Sequence, residues 1–229
     1  ELPPVPAIVA RNIGRLRRLI AEDFGLIEAK ETDELDVAGL FANDGLPLTS
    51  YPLDGEAIGL LADTITRHID ATEALPDQQT ITIERRSEAL VINICQGTLI
   101  NETIGHLLLA MASTQTGRWG GLLVEATRIH LSGADIEPEQ VIGWLNELPA
   151  DGIEGLLSVT LPNSRQVRWR FAQVAKTFGI LQHGVDPRKI NLTALVRKYR
   201  GTIVLEEVLN KLYYERMDIE GAKDVLRGI

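Results

Sequence analysis

The chain has 229 residues, of which 45 % are hydrophobic and 24 % are charged, a composition typical of a globular protein with a substantial core. Its single cysteine, Cys95, excludes a disulfide framework and a cysteine-rich zinc site. The formal net charge is −9, yet the segment from Arg165 to Arg200 contains nine cationic side chains and one anionic side chain. A basic island in an acidic chain is typical of a surface that binds a polyanion.

No apolar run reaches the length of a membrane span, and no signal peptide opens the sequence. The single cysteine fits a reducing compartment, so we expect an intracellular protein. The sequence begins with Glu1 rather than a methionine and ends on a helical pattern. We therefore expect it to be part of a longer protein.

The first predicted helix follows Pro6, which suits an initial helical turn. Its apolar stripe, predicted to face the core, consists of Val9, Ile13, Leu16 and Ile20. Its opposite face carries Arg11, Arg15 and Arg18. We expect these three arginines to extend the basic surface of the later island.

An acidic region follows from Glu31 to Asp77, with eleven acidic residues against one cation. It is predicted to contain a short helix from Asp33 to Phe41 and a loop from Asn43 to Pro47. A longer helix is predicted from Gly55 to about Thr72, with Asp54 as its N-terminal cap.

After residue 77 the period of the pattern changes from helical to alternating, which predicts a small sheet. Two strands are predicted from Thr80 to Glu84 and from Ala89 to Cys95. A helix that starts near Asn101 and reaches about Gly117 comes next. Leu122 to Leu131 is predicted to form either one bent strand or a short hairpin.

From Asp151 onward the chain is predicted to be helical. Asn191 and Asp218 are placed as N-terminal caps of two of these helices. The predicted fold class is therefore α+β, with a small, mostly antiparallel sheet and packed helices followed by an all-helical part. The predicted domains are 1–150, which holds the first helix, the acidic region and the sheet, and 151–229.

The basic island opens with a segment of two faces, Arg165 to Gly179. Its core-facing stripe is predicted to consist of Val167, Phe171, Val174 and Phe178. Nearly opposite lie Arg165, Trp169 and Lys176, and Gly179 is placed as the C-terminal cap. A tryptophan between cations can stack on a nucleobase while the cations hold phosphates. The alternative is that a second layer of structure covers Trp169, and the sequence leaves both interpretations open.

The sequence carries no recognisable catalytic or metal site. It lacks a phosphate loop of the form GxxxxGK[ST], a GxGxxG turn, an HExxH motif, a paired CxxC and a GxSxG elbow. Its four histidines have no metal-ligand spacing, and Cys95 is expected to be a buried strand residue without a basic neighbour. The predicted nucleic-acid-binding residues are Arg11, Arg15, Arg18, Arg165, Arg168, Trp169, Lys176, Arg197, Lys198 and Arg200.

Several short motifs follow one another in a distinctive order. In the first half of the chain they are Pro3 to Pro6 followed by Val9-Ala10, then Gly14 to Arg18, and then Leu75-Pro76-Asp77 followed by Thr80 to Glu84. The next motif is Gly97 to Gly105, which contains the Asn101-Glu102 pair. The second half contributes Trp169-Arg170-Phe171, Val174-Ala175 and Phe178-Gly179, and finally Gly201-Thr202, Glu206-Glu207, Asp218 and Leu226. In this order they resemble the DEAD/H-associated region that follows the motor domains of large helicase-related (Lhr) proteins. Ile203 departs from the pattern, which has a proline there.

The resemblance implies a parent protein that is an ATP-dependent superfamily 2 translocase. Such a protein moves 3′-to-5′ along single-stranded DNA and unwinds duplexes, including RNA:DNA hybrids. ATP and Mg²⁺ are implied for the parent's motor domains, and no cofactor is implied for this chain. The implied partners are single-stranded DNA or an RNA:DNA hybrid and the motor and winged-helix domains of the same parent chain, in the cytoplasm.

Three hypotheses follow for the chain itself. The first is a helicase accessory domain that braces the motor and contacts single-stranded nucleic acid. The second is a structural or protein-interaction module, whose basic helix docks on the acidic region or on the motor domains. The third, an independent enzyme, has the least support because no catalytic constellation is present.

Overall fold

The computed structural model describes residues 3–28, 48–87, 89–118, 120–133, 136–182, 184 and 186–229. Within these ranges the chain forms nine α-helices and four β-strands, and the predicted α+β class is confirmed. The short helix predicted from Asp33 to Phe41 and the loop predicted from Asn43 to Pro47 lie outside the described residues.

The helices are α1 (Ala7–Asp23), α2 (Gly55–Thr72), α3 (Thr98–Thr116), α4 (Pro138–Glu147), α5 (Ile153–Thr160), α6 (Arg165–Thr177), α7 (Leu192–Lys198), α8 (Ile203–Arg216) and α9 (Ile219–Arg227). The strands are β1 (Thr82–Arg86), β2 (Ala89–Asn93), β3 (Gly121–Glu125) and β4 (Arg128–Ser132). They form one antiparallel sheet in the order β1-β2-β4-β3, so two hairpins meet through β2 and β4. Of the two interpretations of residues 122–131, the short hairpin is correct.

Side-chain caps explain why several helices begin where they do. Asp54 accepts a hydrogen bond from the backbone nitrogen of Ala57 at 2.8 Å, which starts α2 as predicted. The predicted caps Asn191 and Asp218 are also confirmed, with bonds of 3.0 Å and 2.8 Å to backbone nitrogens in the first turns of α7 and α9. Each cap satisfies a backbone donor that the helix itself leaves unpaired.

The chain divides into two compact units. One comprises Glu1–Glu84, Val91–Asn101 and Val124–Ile129, and the other comprises Arg85–Leu90, Glu102–Leu123 and His130–Ile229. The predicted division into independent domains at residue 150 stays a prediction.

In the first unit, the predicted core stripe of α1 is confirmed at Ile20, which is buried with Leu16 packed beside it, and is wrong at Val9 and Ile13. Ala10 and Ala21 are fully buried and Gly14 is buried with them, whereas Val9 and Ile13 are 45 % and 38 % exposed. The reason is close packing against the chain around Asp77. A Cβ atom placed on Gly14 would lie 2.6 Å from the backbone nitrogen of Gln78, so only small residues let the helix come this near.

Arg18 lies inside this contact, so its predicted outward orientation is wrong. Its guanidinium donates to Asp77 Oδ2 at 3.0 Å, to Gln79 Oε1 at 3.0 Å and to Glu22 Oε1 at 2.9 Å. The other oxygen of the Asp77 carboxylate accepts from the backbone nitrogens of Gln79 and Thr80, both at 2.7 Å. A buried arginine is tolerated here because its charge is paired and its donors are bonded.

Cys95 is buried, as predicted, but it lies two residues beyond the end of β2 and is not a strand residue. The expectation that it has no basic neighbour is also wrong. Arg17 lies with a guanidinium nitrogen 3.6 Å from the Cys95 sulfur. Burial raises the pKa of the Cys95 thiol more than the nearby positive charge of Arg17 lowers it. The net effect keeps the sulfur protonated and unreactive.

Two helix-interior glycines provide a matched test of the α1 contact. We expect Gly14→Ala to destabilise the chain by about 1–3 kcal/mol, because the new methyl group meets backbone atoms. Gly59→Ala in α2 should instead stabilise it by about 0.5–1 kcal/mol, since a Cβ there meets nothing within 4 Å. Urea unfolding followed by circular dichroism measures both changes. A Gly14→Ala variant as stable as the unmodified chain would contradict the packing described.

Candidate nucleic-acid interface

Helix α6 carries the two-faced pattern read from the sequence. The Ser164 side chain accepts from the backbone nitrogen of Val167 at 3.2 Å and caps the start of the helix. Gly179, with φ of 68°, ends it in the left-handed conformation that glycine adopts readily, as predicted. Val167 and Phe171 are fully buried. Together they anchor α6 in the core of the second unit.

The predicted core stripe is wrong at its last position. Val174 is 8 % exposed and belongs to the core, but Phe178 is 49 % exposed. Phe178 occupies the C-cap, where the backbone leaves helical geometry, so its side chain no longer follows the buried stripe. The apolar face of α6 therefore ends one turn earlier than the sequence pattern.

Trp169 lies on the outer face of α6 and is 54 % exposed. Arg165, one turn earlier on this face, is also exposed, and Lys176 is half-buried. The described residues therefore do not bury Trp169 under a second layer of structure. An indole ring is available to solvent on the same face as two cations.

Most cations of the basic island keep an unneutralised charge. None of Arg165, Lys176, Arg197, Lys198 and Arg200 forms an ion pair with a carboxylate of the described residues. Arg170, on the flank of α6, behaves differently because it pairs with Glu215 of α8. Among the described residues, no carboxylate therefore pairs with the cations named above on and beside this face.

Helix α7 packs beside α6 and brings its cations to the same part of the unit. The rings of Phe171 and Tyr199 lie 5.7 Å apart between centroids, with planes inclined by 50°. Lys198 Nζ lies 6.0 Å from the centroid of the Tyr199 ring. Arg197, Lys198 and Arg200 are all exposed. The α6 and α7 candidates therefore share one unit and adjoining helices.

Asn163, just before α6, accepts hydrogen bonds from two of the predicted residues. Its backbone carbonyl accepts from Arg168 Nη1 at 2.8 Å, and its side-chain oxygen accepts from Arg200 Nη2 at 3.0 Å. Asn163 is not among the binding residues predicted from the sequence. Arg168 and Arg200 are 32 positions apart in the chain, and helical periodicity relates only residues on the same helix.

A second group that sequence reasoning missed holds α6 against α3. The Glu102 carboxylate, 5 % exposed, accepts from Gln166 Nε2 at 2.5 Å, and His106 Nε2 lies 3.2 Å from Gln166 Oε1. Arg216 reaches within 3.8 Å of the same Glu102 oxygen. Burial alone would raise the pKa of Glu102, but the interactions with His106, Gln166 and Arg216 outweigh it, so the pKa lies below its ordinary value of 4.5.

The predicted candidates of α1 lie in the first unit. Arg11 Nε donates to Gln96 Oε1 at 2.6 Å, and Arg15 is half-buried. Arg18 is buried in its ion pairs and offers no free surface. A nucleic-acid role for Arg11 and Arg15 stays a prediction.

Other kinds of site are not seen in the described part of the chain. No group of three or more histidine, cysteine, aspartate or glutamate residues there could hold a metal ion. None of its helices is long and apolar enough to cross a membrane.

Comparison with known proteins connects this arrangement to a family. The family model described as DEAD/H associated matches residues 75–229, more than half of the chain. The chain belongs to the DEAD/H associated family. The matched residues of this DEAD/H associated chain include α3, α6, α7 and α8, and with them Glu102, Asn163 and Trp169.

One solved structure also shares the fold of the DEAD/H associated chain. It is the Mycobacterium smegmatis helicase Lhr bound to ssDNA and AMP-PNP, with a TM-score of 0.70 and 14 % sequence identity. The similarity covers 99 % of this chain but only 29 % of that one, so the chain spans less than a third of the helicase's length. No curated protein sequence matches the chain.

The Glu102 group makes a prediction about stability and pH. A carboxylate with a lowered pKa adds stability that is complete above the unfolded pKa and is lost as the pH falls through the folded pKa. Glu102→Gln should therefore be less stable than the unmodified chain by about 1–3 kcal/mol at neutral pH, and the difference should shrink below about pH 4. Urea unfolding at several pH values measures this difference.

The exposed Glu147 of α4 provides the control, because Glu147→Gln should change stability by less than about 0.5 kcal/mol. A Glu102→Gln effect that is absent at neutral pH, or that stays constant down to about pH 3, would contradict the role assigned to Glu102.

Proposed function

We propose that this chain is an accessory domain of an ATP-dependent helicase, where it braces the motor and contacts single-stranded nucleic acid. Membership of the DEAD/H associated family and the fold shared with helicase Lhr support the helicase context. The observation that carries the nucleic-acid contact is the exposed Trp169 on a face whose cations form no ion pair with any carboxylate in the part of the chain that the structure describes.

Two interactions would act together on this surface. The exposed indole of Trp169 stacks on a base, an interaction worth about 1–3 kcal/mol. The cations of α6 and α7 hold the backbone phosphates on either side. Since each neutralised phosphate of a single strand contributes about −0.7 to the slope of log K against log salt, binding should weaken strongly as salt rises.

The properties of the whole enzyme belong to the parent protein in this proposal. ATP and Mg²⁺ would bind the motor domains, which lie outside this chain, and hydrolysis would drive translocation in the 3′-to-5′ direction. The substrate would be single-stranded DNA or an RNA:DNA hybrid, in the cytoplasm where the parent meets nucleic acid. The motor and winged-helix domains would be the chain's partners within the same polypeptide.

A second candidate function, a protein-interaction module without nucleic-acid contact, is favoured by the outer face of α8. Ile203 is 72 % exposed and Tyr214 is 88 % exposed there. Exposed large apolar side chains suit a docking surface for another domain. In this candidate the chain would bind the motor domains through α8, and the cations of α6 and α7 would serve solubility or docking.

Aromatic truncation separates the two candidates. We expect Trp169→Ala to weaken the binding of a fluorescently labelled single-stranded oligonucleotide about 10-fold or more, through loss of stacking. Tyr214→Ala, which removes a still more exposed aromatic side chain from another helix, should leave the affinity unchanged. Fluorescence anisotropy at low and moderate salt measures both affinities and the salt slope.

Circular dichroism serves as the control that checks whether both variants are folded. Undetectable binding by the unmodified chain, or equal affinity for all three proteins, would reject the proposed contact. Either outcome would favour the protein-interaction candidate.

A further inference from the structure

The most specific feature of the basic surface is the convergence of two arginines on one residue. Asn163 ends a short 3-10 turn (Leu161–Asn163), and its carbonyl is one of the acceptors that such an end leaves unpaired. Arg168 donates to that carbonyl from the second turn of α6, and Arg200, just after α7, donates to the side-chain oxygen of the same residue. Two guanidinium groups from different parts of the chain are thus bonded to one residue.

The partners of these two arginines leave their charge intact. A carbonyl and an amide oxygen are neutral, so neither compensates a guanidinium as a carboxylate does. Neither Arg168 nor Arg200 forms an ion pair with a described carboxylate. Each guanidinium has five N–H donors and is bonded to Asn163 through one nitrogen, which leaves donors for a further acceptor.

Two guanidinium groups bonded to the same residue carry like charges, which repel each other in the absence of an anion. A tetrahedral phosphate would relieve that repulsion and accept hydrogen bonds from both guanidinium groups, since the spacing of guanidinium N–H donors matches that of phosphate oxygens. Asn163 holds the arginines through hydrogen bonds to neutral acceptors, which leave the positive charges available to the phosphate. The group therefore has the features of a preorganised phosphate site.

We propose that Arg168 and Arg200, positioned by Asn163, bind one and the same backbone phosphate of the single strand. Asn163 is a positioning residue in this site and does not itself need to touch the nucleic acid. The inference rests on the proposed function and refines it, because it assigns two of the cations to a single phosphate rather than to successive ones.

Arg170 shows what a structural arginine looks like on the same helix. Its guanidinium pairs with Glu215 of α8, so its charge is neutralised within the chain. Arg170→Ala is therefore the matched control for loss of an arginine from α6. It lowers the net charge by one, as Arg168→Ala does, but leaves Asn163 and its two arginines in place, so the affinity for nucleic acid should change by much less than the about 10-fold expected at Arg168.

A double-mutant cycle measures whether the two arginines share a phosphate. The probe is a fluorescently labelled oligothymidylate, and anisotropy gives its Kd for this chain, Arg168→Ala, Arg200→Ala and the double variant. We expect each single substitution to weaken binding about 10-fold, as for the loss of a charge-assisted hydrogen bond. The double variant should be far less than about 100-fold weaker, because the second removal acts on a contact already impaired.

The Asn163→Ala variant tests whether the Asn163 side chain positions Arg200. It removes the side-chain oxygen that holds Arg200 but keeps the backbone carbonyl that holds Arg168. It should weaken binding about 3-fold in the unmodified chain and have no effect when Arg200 is already alanine. In the Arg168→Ala background its effect should persist.

The possible outcomes separate this inference from the proposed function. Strong binding with multiplicative effects of Arg168→Ala and Arg200→Ala would overturn the shared phosphate and leave the proposed function standing. An Asn163→Ala effect that is unchanged in the Arg200→Ala background would overturn the positioning role. Absence of binding by the unmodified chain would overturn both proposals together. Circular dichroism melting curves establish that each variant is folded before its affinity is compared.

Discussion

The buried carboxylate of Glu102 holds one flank of α6 against its neighbouring helices. Gln166 of α6 donates to it at 2.5 Å, while His106 and Arg216 approach from α3 and α8. Trp169 lies three residues after Gln166, about 60° around the helix at 100° per residue. Phe171, two residues after Trp169, lies about 160° from it around the helix and is buried in the core, so the indole lies on the opposite side. The exposure of Trp169 therefore follows from the buried stripe of α6, and the contact with Glu102 fixes the flank beside it.

The other flank of α6 shows how a basic surface can be ordered without being neutralised. Phe171 packs on Tyr199 and brings α7 close, and Asn163 receives Arg168 and Arg200 through neutral acceptors. Carboxylate partners would have held these side chains equally well, but they would have cancelled the charge that a phosphate needs. Glu102 on one flank and Asn163 on the other thus serve the same face in different ways.

Local signals allowed much of the fold to be predicted, and contacts between distant residues account for the rest. Some helix ends depend only on the backbone of neighbouring residues and can therefore be predicted from the sequence. They include the N-terminal caps at Asp54 and Asp218 and the helix end at Gly179. Apolar periodicity predicted the buried face of α1 only at its C-terminal end, with Ile20, because the close contact further up the helix is made by Gly14, which no hydrophobic stripe includes. The exposure of Trp169 also needed the structure, since only the helices packed around α6 decide which polar face is covered.

The central claim, that the exposed indole of Trp169 meets a base, can be tested by its own fluorescence. The chain has three tryptophans, and a variant with Trp119→Phe and Trp144→Phe retains Trp169 as its sole indole emitter. Titration with unlabelled oligothymidylate should quench that emission. The Kd from the quenching curve should equal the Kd measured by isothermal titration calorimetry. Complete binding with unchanged Trp169 emission would contradict stacking and the account built on it.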